Sequence, residues 1–365
     1  MAACHVLQQP PVVSVLLELL TVPELHVARH VCRLWRLEAD RRLRRTTLHW
    51  DFWEDAAAEP DPAADPDPGL GRLTAFLART LASCPFGAGH ALLFAGSTRR
   101  GQCTGLLPAA ADFLRRAAPQ LHLLAFDSHS INYDNCRVIG TPLSAGAGVR
   151  KNFRHDSSAC LGVLLVAAGA AELRAQPLYE ERDRAAAVAR LAAGAAPARA
   201  VLLLCAGYTL YRCGQRLLLD LLPGCGADVA LGGGVSSGPG LFPGRAPLGV
   251  ITVAGPKVRA VSRVLHGARD EARAAQFVAD LRRLEFPTEH TVALVFANCV
   301  HRESHFTDVE CRLFRRAFPT VPVFGWGTVR QVGHESGRPH RRHARINPYA
   351  MNRSVVFVLL HIPPG

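Results

Sequence analysis

Lysine is nearly absent from this chain. Of its 42 basic residues only Lys151 and Lys257 are lysine, which leaves 40 arginines. Arginine shares G/C-rich codons with the abundant alanine, glycine and proline, so compositional drift accounts for much of the net charge of +12. Two basic clusters stand out: Arg41, Arg42, Arg44 and Arg45, and later Arg338, His340, Arg341, Arg342, His343 and Arg345. No nucleic-acid-binding motif accompanies either, so they read as solvated faces and nucleic acid is not an expected partner. Long apolar runs are lacking too. The longest, 161–171 and 200–207, fall far short of the ~20 residues that span a bilayer, and no basic-then-apolar leader opens the chain. The expectation is a cytoplasmic and nuclear protein without a membrane partner. The eleven cysteines include no C-x-x-C pair and their total is odd. That argues against a disulfide framework or zinc finger and for small core residues in a reducing compartment.

What is present begins with helices. Residues 12–20 are apolar almost all round, broken only by Ser14 and Glu18. Thr21 stands at an N-cap position, with Pro23 in the first turn and Glu24 completing a capping box. Leu25, Ala28, Val31, Cys32 and Trp35 then recur at intervals of three and four, which predicts an amphipathic helix kinked or broken near Cys32. This run, ending in Val-Cys-Arg-Leu-Trp-Arg, resembles an F-box, the helical module that joins a substrate receptor to a Skp-family adaptor. By that resemblance the adaptor-facing and core positions are Leu16, Leu20, Pro23, Leu25, Val31, Cys32 and Trp35. The Leu-Pro with which such modules open is replaced here by Gln8-Gln9-Pro10-Pro11.

Residues 54–71 alternate acids with proline and hold Leu70 as the one large aliphatic, so the stretch reads as an extended linker. Beyond it, short Val- and Leu-rich runs predict buried strands at 91–94, 121–125, 159–166, 200–204, 229–231, 248–253, 292–296, 321–324 and 355–360. Helices are expected at 72–82, 108–117, 182–193, 214–221, 268–284 and 308–317. Intermixed strands and helices predict an α/β (α+β) body of layered mixed sheets with flanking helices, preceded by the small all-helical module. The expected division is 8–48 for the F-box module, 49–71 for the linker, and 72–245 and 246–365 for two domains.

Residues 292–302 (VALVFANCVHR), Glu310, Phe314, 318–327 (FPTVPVFGWG) and Gln331-Val-Gly333 together resemble a FIST C-terminal domain. Residues 200–207 (AVLLLCAG) and 229–234 (VALGGG) are similar to a FIST N-terminal domain. F-box proteins with both FIST domains are substrate receptors of Skp-cullin-F-box ubiquitin ligases. The resemblance therefore implies a non-catalytic receptor whose partners are a Skp-family adaptor, through it a cullin scaffold, and protein substrates marked for proteasomal degradation. Bacterial FIST domains are regarded as small-ligand sensors, which implies as the alternative a ligand or redox sensor with a pocket formed by Cys299, Arg302, Trp326 and Gln331 near Gly232. The family commonly has Gly-Glu-Ile-Gly where this chain has Arg330-Gln331-Val332-Gly333, exchanging a carboxylate for a neutral amide.

Other constellations carry less. Cys299 beside His301 and Arg302 has the composition of an activated thiol, and a cysteine hydrolase is a third reading, but adjacency in sequence supplies no base. Residues 232–238 (GGGVSSG) lack the lysine of a P-loop and read as a tight turn. His334, Glu335, His340 and His343 are interrupted by arginines and read as an exposed loop, not a metal site. Asp127-Ser128-His129 has the letters of a triad, but neighbours on a strand point to opposite faces. No cofactor is expected.

Overall fold

The computed structural model describes residues 9–18, 20, 22–43, 45–56, 68–96, 106–127, 138–140, 157–194, 196–206, 211–226, 228–236, 248–266, 270–298, 306–328, 330–337, 350–351 and 354–364. Three helices come first: α1 (Pro10–Glu18), α2 (Val22–Ala28) and α3 (Arg33–Leu43). The break expected near Cys32 lies between α2 and α3. Thr21, the expected cap, is outside the described residues. Then follow β1 (Leu48–Ala56), α4 (Pro68–Ser83), β2 (Ala88–Gly96), α5 (Leu106–Ala117), β3 (His122–Asp127), β4 (Val138–Gly140) and β5 (Ser157–Ala167). The middle of the chain forms β6 (Glu172–Leu178), α6 (Arg184–Ala192), β7 (Ala198–Ala206), α7 (Tyr211–Cys225), β8 (Ala230–Ser236) and β9 (Leu248–Ala254). The last stretch forms β10 (Arg259–His266), α8 (Glu271–Arg283), β11 (Thr291–Asn298), α9 (Phe306–Ala317), β12 (Val323–Thr328), β13 (Arg330–Val332), β14 (Ala350–Met351) and β15 (Ser354–His361).

These elements repeat one topology three times. The sheets contain β1-β5-β2-β3, β6-β9-β7-β8 and β10-β15-β11-β12, so each orders its four strands first, fourth, second, third. In each unit the second and third strands are parallel and joined across a helix, as a parallel pair requires. The fourth strand is antiparallel to both the first and the second. The units are joined by four-residue connections, 168–171 and 255–258, each containing a glycine with positive φ, Gly169 and Gly255. The fourth strands even share sequence, Leu161-Gly-Val-Leu-Leu-Val-Ala against Leu248-Gly-Val-Ile-Thr-Val-Ala.

The apolar strands are buried on both faces, which explains why they read as continuous runs. In β2, Leu92 and Phe94 enter a core common to all three sheets, while Ala91, Leu93 and Ala95 pack under α4 and α5. In β7, Leu202 and Leu204 point inward and Val201, Leu203 and Cys205 lie against α6 and α7. In β11, Leu294 and Phe296 point inward and Ala293, Val295 and Ala297 lie against α8 and α9. Units also exchange strands: β4 of the first extends the third sheet beside β12, and β13 of the third extends the second beside β8.

The layered α/β fold is thus as expected, while three sequence readings are corrected. The segment expected as a linker, 49–71, opens with β1, whose Trp50 and Phe52 are buried against β5, and closes with the start of α4; residues 57–67 are outside the described residues. Alternation of apolar and polar residues there was masked by the acids that follow. The boundary expected at 245/246 cuts a sheet, because β9 hydrogen-bonds to β6 and β7. Gly232, Gly233 and Gly234 form no turn; they are the middle of β8, where the paired strands and a facing sheet leave no room for side chains. A Cβ at Gly232 would lie 2.5 Å from Val358 Cγ2, and one at Gly234 2.6 Å from the Arg330 carbonyl oxygen.

Candidate functional site

The helical segment divides cleanly into two faces. Val13 and Leu17 of α1, Leu25 and Ala28 of α2, and Ala39 and Leu43 of α3 are buried, at the i, i+3 and i, i+4 spacing of one helix face. All six belong to the common core, alongside Leu48 and Trp50 of β1, so the segment is seated on the body. Thr47 fastens the junction: its hydroxyl donates to the carbonyl oxygen of Ile362, and its own carbonyl accepts from Ala167 N at 2.8 Å. Arg29 pairs with Asp40 at 2.6 Å across α2 and α3, and Arg42 reaches Glu289 at 3.1 Å.

The opposite face keeps large apolar groups in solvent: Val15 is 59 % exposed, Val27 71 %, Val31 61 % and Leu37 54 %. Among the adaptor positions inferred from the F-box resemblance, Val31 and Cys32 are exposed and Leu16 is half-buried. Leu20 and Trp35 are partly buried and pack on the common core, and Leu25 is buried within it. Pro23 falls in α2. A partner touching the intact segment therefore meets Val31 and Cys32 but not Leu25. Val15, Val27 and Leu37 were not singled out from sequence. The signal was present, since each sits out of phase with the buried residues of its helix.

Of the four positions inferred from the FIST resemblance, two lie within strands and two lie outside the described residues. Cys299 and Arg302 follow β11 and lie outside the described residues, as do His301, His340 and His343. Trp326 lies in β12, in register with Phe296 of β11 and Val138 of β4. Gln331 is fully buried, and its amide is committed internally. Nε2 donates to the Thr328 carbonyl oxygen at 3.1 Å and to Thr328 Oγ1 at 3.0 Å, while Oε1 accepts from Ser354 N at 3.4 Å. Thr328 Oγ1 in turn donates to the Ala297 carbonyl oxygen at 3.4 Å. One amide thereby links β11, β12, β13 and the start of β15, a task needing both a donor and an acceptor.

Gln331→Glu should therefore destabilise the fold at pH 7 by about 2 kcal/mol, because an anionic oxygen replaces the donor facing the Thr328 carbonyl. Burial without that donor raises the carboxyl pKa of the folded variant. The penalty is full above that raised value and shrinks as pH falls toward the carboxyl's ordinary range, where the protonated acid again donates. Denaturant melts of both proteins at pH 7 and pH 5 check the sign; a difference that grows at pH 5 would refute this account.

Four of the described thiols are held away from the thiolate form by burial. Burial pushes the Cys84 thiol up to about 11 and raises those of Cys205, Cys213 and Cys225. His334 is buried, and its carbonyl oxygen accepts from Ser262 Oγ at 2.7 Å. Among the described residues no three His, Cys, Asp or Glu side chains converge as a metal site would require. Asp127 ends β3 opposite Ala95, and Ser128 and His129 lie outside the described residues. No helix among the described residues is long and apolar enough to cross a membrane.

No family model matches the chain, and no curated protein matches it. Two solved structures are similar across 87 % of this chain. One is a cyanuric acid hydrolase, with a TM-score of 0.38, 11 % identity and 100 % of its own chain covered. The other is a chorismatase, with a TM-score of 0.37, 12 % identity and 99 % of its chain covered. Likeness at this level assigns neither a reaction nor a substrate. Both are enzymes by name, in contrast to the non-catalytic chain expected from sequence.

Proposed function

We propose that this chain is the substrate-recognition subunit of a Skp-cullin-F-box type ubiquitin ligase, acting in the cytoplasm and nucleus. The helical segment docks the Skp-family adaptor, and the three-unit α/β body holds protein substrates for ubiquitination and proteasomal degradation. The observation that carries this reading is the two-faced helical segment. Its inner residues are committed to the core, yet Val15, Val27, Val31 and Leu37 stay in water where a protein partner would cover them.

The test is capture of a purified Skp-family adaptor by the full-length chain, beside a Val27→Asp/Val31→Asp variant. Both positions are exposed, so the variant should melt like the parent while adaptor affinity falls about a hundredfold or more, as two anchors of ~2 kcal/mol each imply. Absence of binding by the folded parent, or undiminished binding by the variant, overturns the proposal. Trp35→Ala is the poorer probe, because Trp35 packs on the core and its removal mixes stability with binding.

A further inference from the structure

Beside the helical segment lies a cavity of about 520 Å³ lined by α1, α3, β1 and the turn before β11. Its size is within the roughly 300–1,000 Å³ of small-molecule sites and far below that of a protein groove. One wall is apolar, made by Leu17, Leu20, Leu25, Leu48 and Trp50. The other is cationic, with Arg41, Arg42 and Arg45 facing His290 and two acids, Glu38 and Glu289.

The acids do not cancel the arginines. Arg41 is held by Glu38 at 3.3 Å and Arg42 by Glu289 at 3.1 Å, while Arg45 forms no ion pair among the described residues. Three guanidinium groups against two carboxylates leave one positive charge beside an apolar wall. A cation would meet that charge, and a neutral apolar molecule would leave it unanswered; a monoanion with an apolar body satisfies both walls. Arginine also matches a carboxylate with two parallel donors.

We propose that this cavity binds a small monocarboxylate with an aromatic or aliphatic body, the carboxylate held by Arg45 and the body lying against Leu20, Leu25 and Trp50. The site does not depend on adaptor docking, since its apolar lining belongs to the inner faces of the same helices and to β1. A ligand there would touch α1, α3 and the body at once, and would clamp the helical segment in place.

The test is calorimetric titration of the full-length chain with 4-phenylbutyrate, 4-phenylbutan-1-ol and 4-phenylbutylamine, which share a body and differ in charge. The acid should bind about tenfold or more tightly than the alcohol, the margin of one charge-assisted contact, and the amine should not bind. Arg45→Gln should lower affinity for the acid about tenfold and leave the alcohol unchanged. Ser14→Trp, which places an indole in the cavity, should abolish both; a thermal melt checks that it folds, and if it does not, Arg45→Gln alone carries the test. The proposal is overturned if the acid gives no heat at millimolar concentration, if the alcohol or amine matches it, if Arg45→Gln binds the acid like the parent, or if a folded Ser14→Trp still binds.

Discussion

Gly233→Ala should abolish folding at physiological temperature, with a loss of about 4 kcal/mol or more, a range reached only when backbone strain and steric overlap coincide. Gly233 is in the middle of β8 at a φ of +139°, a conformation that residues with a Cβ rarely adopt. A Cβ there would overlap the carbonyl oxygen of Leu203 on the paired strand β7. That obstacle is backbone inside a sheet and cannot rotate away. Gly224, on α7, is the control with the opposite sign. Nothing lies within 4 Å of its Cβ position, so Gly224→Ala should be neutral or stabilise by up to ~1 kcal/mol. Urea midpoints of the two variants decide the matter; a folded Gly233→Ala protein of parental stability would refute the close-packing account of the glycine run.

Phe324→Ala should cost about 3–5 kcal/mol, the range for deleting a fully buried aromatic ring and leaving its cavity. Phe324 of β12 is wholly buried where the first and third units meet. Its ring centroid stands 5.7 Å from that of Phe52 on β1 and 5.5 Å from that of Phe94 on β2, both tilted pairs within the separation over which aromatic rings attract. Its loss removes apolar burial and two ring contacts at the seam between sheets. Phe324→Leu retains most of the volume and should lose less than half as much. Equal losses for the two substitutions, read from denaturant midpoints, would show that the cavity is not the source of the cost.

The seam also explains what was legible in sequence. Strands β2, β7, β11 and β15 were found because both of their faces are buried, which produces unbroken apolar runs. Strands β1, β6 and β10 were missed because they lie at sheet edges and alternate apolar with charged residues, and β6 contains Pro177, which an edge strand tolerates. The threefold repeat escaped notice for a related reason. What recurs is strand order, and the first strand of each unit has little sequence in common with the others. Gln331 was singled out for the charge it lacks compared with the FIST pattern that its segment resembles, whereas its place inside the fold depends on Thr328 and Ser354 being adjacent in space.

The sequence by itself determined many of the elements, namely helices at apolar spacings of three and four and strands at continuous apolar runs, and a chain without an apolar run long enough to span a bilayer. Those are consequences of local periodicity and composition, which need no partner to be read. Only the tertiary structure decided which face of the helical segment is spent on the core and which stays in water. The same is true of the glycine run, set where neighbouring backbone and a facing sheet crowd β8, and of Arg45, placed beside an apolar cavity without an ion pair among the described residues. Each depends on residues brought together from distant parts of the chain, a property that no window of the sequence contains.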